Sequence, residues 1–345
     1  MALEAARLRE ALKRMVPQPT DYVSFDGARA WTSGMVEVEI RVGEERLLPV
    51  ALPRKFFLDL LEAAEGEVRL TPEGQRLRLE AGGFQAELLT AEAFPQPLLE
   101  KAEDPTFRVG EGFLEAVKNA FSLGKKLTSH QGKVLVEAEE GRVRVVATDG
   151  YSLHLHTLEA EVFQEGAYLL PAQAEGALRA LEGELTFHRA WGGKALVAVA
   201  ENGRAGFPLA EGGFPSYRNA LPSAPPLGEV EVERRALLQA LKRALAVAHP
   251  ENHPVRLRAD GEGVRVEAMG EGFLPLSEEL LPGRGRGEVF VNGRYLVDAL
   301  EEVRKEEARI LLYSGPGVPL VEVGDEGFYG LIAGLRPPKD AGSQG

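Results

Sequence analysis

The sequence repeats itself with a period of about 120 residues, and this feature constrains the fold more than any other. The pair Phe94-Pro95 recurs as Phe214-Pro215. Pro53, Pro171 and Asn292 lie at matching distances, and each opens a stretch whose apolar residues have helical spacing. A repeat of this length indicates several copies of one supersecondary unit rather than a single unbroken core.

A leading helix and a set of alternating strands complete each repeat. We predict the leading helices over Leu3–Met15, Gly112–Leu123 and Arg234–Ala248. Period-two alternation, as in Val36–Val42, indicates strands with one buried face. The expected fold is α+β: three repeated domains, each with two helices packed on antiparallel sheet, over residues 1–104, 105–226 and 227–336, with a flexible tail at 337–345. Three unrelated α+β domains with a chance spacing are the alternative.

Composition narrows the classes of function. The chain has no cysteine, which excludes disulfides and thiolate metal sites. No apolar run is long enough to cross a bilayer, and the N-terminal stretch MALEAARLREALKRM predicts a charged amphipathic helix rather than a signal peptide. We therefore expect a cytoplasmic protein.

Charge is segregated along the chain. The net charge is −13, yet the three leading-helix stretches Glu4–Arg14, Glu111–Lys126 and Arg234–His249 carry +2, +1 and +4. Three basic helices on an acidic protein predict a surface that faces phosphates, and any DNA contact there should be electrostatic and independent of sequence. The alternative is that these cations lie on exposed helix faces and contact only solvent. The residues expected to face DNA are Arg7, Lys13, Arg14, Lys118, Lys125, Lys126, Arg234, Arg235, Lys242 and Arg243.

Several motifs resemble those of the bacterial DNA polymerase III beta subunit, or beta sliding clamp, family. Val145-Val-Ala-Thr-Asp-Gly-Tyr-Ser-Leu153 resembles the family's Ala-Thr-Asp-Gly-His-Arg-Leu segment. Phe214-Pro-Ser-Tyr-Arg-Asn-Ala-Leu-Pro222 resembles its linker Phe-Pro-x-Tyr-Arg-x-x-Leu-Pro. Pro53-Arg-Lys-Phe-Phe57 and Asn292-Gly-Arg-Tyr-Leu-Val-Asp-Ala-Leu300 resemble its first-domain and third-domain helices. The resemblance covers nearly the whole chain.

This resemblance implies a sliding clamp: two chains close head to tail into a ring around duplex DNA and tether DNA polymerase and the clamp loader through short linear peptides. It places one patch of the dimer interface at Ala246 and Val247. No cofactor, metal or catalytic residue is implied. The implied peptide pocket, between the second and third domains, comprises Thr148, Gly150, Tyr151, Ser152, Leu153, Pro215, Asn292, Tyr295, Pro316, Val318, Leu331 and Ile332.

The chain departs from the family at this pocket. Tyr151-Ser152 replaces the family's His-Arg, and Ile332-Ala-Gly-Leu-Arg336 replaces its Met-Pro-Met-Arg-Leu ending. Losing flexible methionines predicts a shallower pocket that prefers a different peptide. We infer a divergent, phage, plasmid or second-copy clamp.

Rival interpretations rest on weaker signals. His154-x-His156 could place two imidazoles on one strand face for a metal, but no third ligand follows at a telling spacing. Gly283-Arg-Gly-Arg-Gly287 lacks a phosphate-loop frame and predicts a flexible turn between strands. A clamp-fold scaffold or inhibitor that binds replication proteins without encircling DNA is the alternative function.

Overall fold

The computed structural model describes residues 2–15, 21–124, 132–315 and 317–336. The chain divides into two compact units. The first unit comprises Met1–Ser122, Gly132–Val145 and Leu158–Gly212, and the second comprises Leu123–Gln131, Val146–Thr157 and Gly213–Gly345. The predicted tail at 337–345 lies outside the described residues. The three-domain boundaries stay a prediction.

The six predicted helices are present close to their expected positions, and one short additional helix lies between the second and third of them. In chain order the helices are α1 (Ala5–Arg14), α2 (Arg54–Ala63), α3 (Pro97–Glu100), α4 (Gly112–Gly124), α5 (Ala172–Arg179), α6 (Arg234–Leu245) and α7 (Gly293–Glu302). Short 3-10 turns cover Tyr217–Ala220 and Glu271–Phe273. In α6 the buried residues Leu237, Ala240, Leu241 and Ala244 form one stripe, and this stripe explains why α6 packs against α7.

Two helix ends differ from the prediction. Leu3 and Glu4 belong to a strand rather than to α1, because Leu3 is buried opposite Val68 in a ladder. The third leading helix ends at Leu245 instead of Ala248. These are terminal differences of two or three residues, where local packing decides the boundary.

The first unit is built mainly from antiparallel strands. They are β1 (Ala2–Glu4), β2 (Tyr22–Phe25), β3 (Arg29–Thr32), β4 (Glu37–Arg41), β5 (Val50–Pro53), β6 (Glu67–Glu73), β7 (Arg76–Ala81), β8 (Phe84–Leu89), β9 (Ala91–Glu92), β10 (Ala102–Val109), β11 (Lys133–Glu139), β12 (Arg142–Thr148), β13 (Ser152–Val162), β14 (Gly166–Pro171), β15 (Leu185–Ala190), β16 (Ala195–Ala200) and β17 (Gly203–Pro208). One sheet has the order β1-β6-β7-β8. β4 pairs with β17, which joins strands about 165 residues apart in sequence.

The second unit contains the last three residues of β12, the first half of β13 and the remaining strands. These strands are β18 (Gly228–Glu233), β19 (Pro254–Ala259), β20 (Val264–Met269), β21 (Pro275–Leu281), β22 (Gly283–Asn292), β23 (Glu307–Ser314), β24 (Pro319–Asp325) and β25 (Phe328–Leu335). The ladder β18–β23–β24–β25 continues to β13 through antiparallel pairing. α6 and α7 pack on these strands, so the predicted combination of helices on antiparallel sheet is confirmed.

The glycine-rich segment Gly283–Gly287 forms strand, so the predicted flexible turn is wrong. It opens β22, whose first half pairs with β18 and whose second half pairs with β19. A Cβ at Gly285 would collide with the carbonyl oxygen of Glu229. Gly285 and Gly287 also have φ values of 134° and 139°. Glycine is needed here because β22 crosses between ladders at close backbone approach.

Candidate functional site

A tight turn between β12 and β13 forms the centre of the implied peptide pocket. Asp149 Oδ1 accepts hydrogen bonds from the backbone N–H groups of Tyr151 at 2.9 Å and Ser152 at 2.6 Å. Thr148 Oγ1 donates to the Ser152 carbonyl at 2.7 Å and accepts from Gly150 N at 3.1 Å. Gly150 has φ 83°, which favours glycine. These bonds fix the turn and leave Tyr151 at its exposed tip.

Tyr151 and Tyr295 form an aromatic pair at this turn. Their ring centroids are 6.4 Å apart, and their planes differ by 14°. The ring of Tyr151 is largely exposed, at 63%, whereas Tyr295 on α7 is half-buried. Burial and the neighbouring Asp149 carboxylate raise the pKa of Tyr295 to about 12. Tyr295 therefore stays a neutral phenol across the physiological pH range.

Strand pairing brings the C-terminal residues to the same turn. In the β13–β25 ladder Ser152 lies opposite Ile332 and Leu153 lies opposite Leu331. The Tyr151 carbonyl accepts a hydrogen bond from Ala333 N at 2.7 Å, which extends the ladder to the turn. Leu153, Leu331 and Ile332 are buried. Their side chains support the turn from the core, while Tyr151 supplies the exposed apolar surface.

The other implied pocket residues are less closely tied to this turn. Asn292 accepts a hydrogen bond from Arg294 N at 3.0 Å and caps the start of α7. Pro215 is exposed ahead of the 3-10 turn, and Val318 is half-buried ahead of β24. Among the described residues, no hydrogen bond, ring contact or strand pairing joins these three to the turn. Pro316 lies outside the described residues.

The two histidines of β13 have a packing role. His154 and His156 are both buried, and both rings contact Phe328, with centroids 5.3 and 5.1 Å away. Burial, aided by the Arg304 charge, lowers the pKa of His156 to about 4. Within the described part of the chain, no group of three metal-ligating side chains occurs.

Carboxylates from neighbouring elements contact most of the predicted DNA-facing cations on α1. Lys13 lies 2.9 Å from Glu62, and Arg14 pairs with both Glu10 and Glu182. By contrast, Arg7 makes no ion pair among the described residues, and neither does the exposed Lys118 on α4. Lys125 and Lys126 lie outside the described residues.

Carboxylates also contact two of the four cations of α6, which is the most basic of the three helices. Arg243 bonds Glu279 through both Nε and Nη2, at 2.9 and 2.6 Å, and Lys242 lies 2.9 Å from Glu301. Arg234 donates to the carbonyl of Lys305 at 3.0 Å. Arg235 is exposed and makes no ion pair with any residue that the structure describes. Local pairing thus reduces the positive potential that the helix sequence alone predicts.

Comparison with known sequences identifies beta sliding clamps as relatives of this chain. The beta sliding clamp of Pseudomonas aeruginosa is 22% identical over 292 residues, covering 80% of this chain and 78% of the relative. The beta sliding clamp of Synechococcus elongatus is 23% identical over 292 residues, covering 78% and 76%. This chain is a divergent relative of the beta sliding clamps. No protein-family model matches the sequence.

Solved sliding-clamp structures agree with this relationship. The DNA polymerase sliding clamp from Pseudomonas aeruginosa matches with a TM-score of 0.80 at 20% identity, covering 97% of this chain and 99% of that chain. A putative DNA polymerase III beta subunit from Eubacterium rectale matches with a TM-score of 0.79 at 17% identity, covering 97% and 98%. The chain therefore has the sliding-clamp fold over nearly its whole length.

For a sliding-clamp relative, the end of α6 is of particular interest. Ala246 and Val247, the residues implied in the dimer patch, are exposed directly after α6. α6 packs against β21, which pairs only with β20 among the described strands and so forms an open edge. Leu276 and Leu280 lie on this strand and Leu274 directly precedes it, and the three side chains are 56%, 51% and 67% exposed.

Sequence reasoning missed this leucine edge. Its signal is visible in retrospect, since leucines at positions 274, 276 and 280 have the spacing of one strand face. In the first unit, β8 is likewise the last strand of its described sheet, and Phe84 and Leu89 are exposed.

No described helix has the length and apolar character needed to span a bilayer.

Proposed function

We propose that this chain is a DNA sliding clamp, a non-catalytic processivity factor that encircles duplex DNA and tethers DNA polymerase. The observation that carries the proposal is its likeness to beta sliding clamps along 97% of the chain in fold and about four-fifths in sequence. The mechanism is topological: a closed ring remains on DNA while weak contacts allow it to slide. A tethered polymerase gains effective concentration at the primer end.

Two copies would close the ring head to tail, each contributing three domains over residues 1–104, 105–226 and 227–336. The open edge strands β8 and β21 support this arrangement, because unpaired strand edges with exposed apolar side chains favour pairing with another chain. Ala246 and Val247 would pack beside β21 in this interface. The small, apolar character of both residues suits close approach.

The DNA-facing surface would rely on few unpaired cations. Arg7, Lys118, Arg234 and Arg235 are the members of the basic set that no carboxylate contacts among the described residues, and Arg234 donates instead to backbone carbonyl groups. Contacts of this kind are electrostatic and independent of sequence, and salt weakens them. A small number of them suits a ring that must slide rather than grip.

The peptide site would centre on Tyr151 and Tyr295. The fixed turn presents Tyr151 in the open, and the buried Leu153, Leu331 and Ile332 hold the turn in place. An apolar or aromatic side chain from a polymerase or clamp-loader peptide could pack on this ring pair. Because Tyr151 replaces the family's histidine, we expect a preference for peptides with an aromatic end.

Retention on DNA provides the decisive test of this function. The purified protein is loaded onto nicked circular duplex, by the cognate loader or by dilution from a ring-opening buffer, and separated by gel filtration. We expect it to co-elute with the circle and to be lost once a restriction enzyme linearises the DNA. Negative-stain images at micromolar concentration should show closed rings.

Binding to circular and linear DNA alike would contradict encirclement. Failure to remain on either form, together with monomeric particles that still bind polymerase peptides, would favour a clamp-fold scaffold or inhibitor. The paired cations Lys242 and Arg243 on α6 are the observation in favour of that second function, since they reduce the charge available to DNA.

A further inference from the structure

Four arginines converge on a cleft in the first unit. The cleft has a volume of roughly 570 Å³ and is lined by Arg29, Arg41, Arg46 and Arg204, with Glu39 and Glu44 as the acidic members. Its remaining lining is alanine, glycine and valine, so the charged groups dominate its chemistry. Small-molecule sites typically occupy about 300–1,000 Å³. None of these residues belongs to the DNA, dimer or peptide surfaces described above.

Two of the four guanidinium groups are held in fixed positions. The Glu39 carboxylate, only 6% exposed, accepts from Arg29 Nη1 at 3.1 Å and from Arg204 Nε and Nη2 at 3.0 and 2.8 Å. The buried Asp26 holds Arg29 from the other side, at 2.6 Å from Nη2. Arg204 Nη1 takes no part in these bonds, so its two N–H groups remain for a ligand.

The other two guanidinium groups are not held in an ion pair by any carboxylate that the structure describes. Arg41 and Arg46 are exposed and make no ion pair among the described residues. Glu39 and Asp26 are already engaged, which leaves Glu44 as the one exposed carboxylate of the lining. The cleft therefore combines a preorganised arginine pair with two free arginines around a net positive charge.

We propose that this cleft binds a phosphate-bearing ligand of about the size of pyrophosphate. A guanidinium group presents parallel N–H donors whose spacing matches two phosphate oxygens. Arg204 supplies fixed donors at one side, while Arg41 and Arg46 close on the opposite oxygens. A diphosphate offers enough negative charge and enough acceptors to engage several arginines at once, whereas a single carboxylate does not.

Calorimetric titration of the full chain with inorganic pyrophosphate tests the proposal at low ionic strength. We expect saturable one-site binding that weakens as salt is added. Arg41→Ala combined with Arg46→Ala should weaken binding at least tenfold. The matched control is Arg69→Ala combined with Arg142→Ala. These two exposed arginines of the same unit make no ion pair with any described residue, and the control should bind as the unaltered protein does.

A variant that is expected to strengthen pyrophosphate binding provides a second test. Glu44→Gln removes the exposed carboxylate and should tighten pyrophosphate binding by about threefold, since a unit charge several ångströms away in a well-solvated cleft has an influence of that order. Adenosine triphosphate serves as the second probe. If adenosine triphosphate and pyrophosphate bind with equal affinity, the cleft recognises the phosphates alone. If adenosine triphosphate binds more tightly, the phosphates that the cleft recognises belong to a nucleotide.

No saturable binding of pyrophosphate, or the same affinity in the Arg41/Arg46 variant and the control, would overturn the proposal. The result of the pyrophosphate titration does not depend on whether the protein is a sliding clamp. The Arg41/Arg46 variant should still be retained on circular DNA, and a protein that failed the DNA experiment would still be expected to bind pyrophosphate.

Discussion

Arg243 on α6 and Glu279 on β21 form a two-point ion pair, with nitrogen–oxygen distances of 2.9 and 2.6 Å. The pair links one of the cations predicted to face DNA to the strand that forms the open edge of the second unit. Lys242 is held in the same way by Glu301 on α7. Two of the four cations of the most basic helix thus have local counter-charges.

Releasing these two cations should strengthen DNA binding. We expect Glu279→Gln with Glu301→Gln to raise affinity for duplex DNA by about 3- to 10-fold at low salt and to steepen its salt dependence, because two more cations can displace counterions. Fluorescence anisotropy with labelled duplex measures both quantities. The control, Glu229→Gln with Glu231→Gln, frees Arg309 and Arg284, whose ion pairs among the described residues are with these two glutamates on β18. An equal gain in the control would show that overall charge, not α6, governs binding.

Tyr151 should determine much of the peptide affinity. Its exposed ring lies beside Tyr295, so Tyr151→Ala removes the open face of the aromatic pair. We expect at least a tenfold loss of affinity for a polymerase-derived clamp-binding peptide, while Tyr151→Phe retains binding within about twofold. Titration calorimetry measures the change. Unaltered affinity in Tyr151→Ala would place the peptide site elsewhere.

We expect the dimer interface to be disrupted when charge is introduced at the leucine edge and at the end of α6. Val247→Arg with Leu276→Arg places two cations on exposed apolar positions, which disfavours their burial against a second copy. Sedimentation velocity at micromolar concentration should show monomers in place of dimers. Leu227→Arg, at a position 77% exposed elsewhere in the second unit, is the control and should remain dimeric. A dimeric double variant would remove β21 and Val247 from the interface.

His156 should make the protein less stable in mild acid. Its pKa falls from 6.5 in the unfolded chain to about 4 when folded, so between these values the unfolded state binds a proton that the folded state does not. Stability is therefore fully present above pH 6.5 and is lost as pH falls toward 4. Between pH 7 and pH 5 this group should remove about 2 kcal/mol of the unfolding free energy.

His156→Gln tests that prediction, because glutamine keeps a polar side chain without titrating. Urea unfolding at pH 7 and pH 5 should show a smaller loss of stability in the variant than in the unaltered protein. If both proteins lose the same amount, another group is responsible for the acid sensitivity.

Sequence periodicity was sufficient to predict the helix pairs and the antiparallel strands. The starts of α2, α5 and α7 follow Pro53, Pro171 and Asn292 as expected, because proline and asparagine are favourable at helix starts. The strand at Gly283–Gly287 could not be predicted. Its glycines are required by the nearby backbone of β18, a long-range contact that has no local signature.

The charge of the basic helices was overestimated for a related reason. Counting residues along Arg234–His249 omits Glu233, which caps α6 by accepting from Arg235 N and Ala236 N. It also omits Glu279 and Glu301, which tertiary folding brings to Arg243 and Lys242. A helix reveals its own charge in sequence, but its counter-charges come from distant elements.

The pairing of Ser152 with Ile332 has a consequence for how the chain is made. The two residues are 180 positions apart, and β25 is the last described strand. At about 5–20 residues per second, a ribosome needs about 10 to 40 seconds to synthesise the intervening chain. Throughout that interval the start of β13 and its neighbouring turn lack their final partner. The second unit therefore cannot complete its fold during synthesis of its earlier strands, and the nascent chain presents an open strand edge that chaperones or premature partners can occupy until the C-terminal strand emerges.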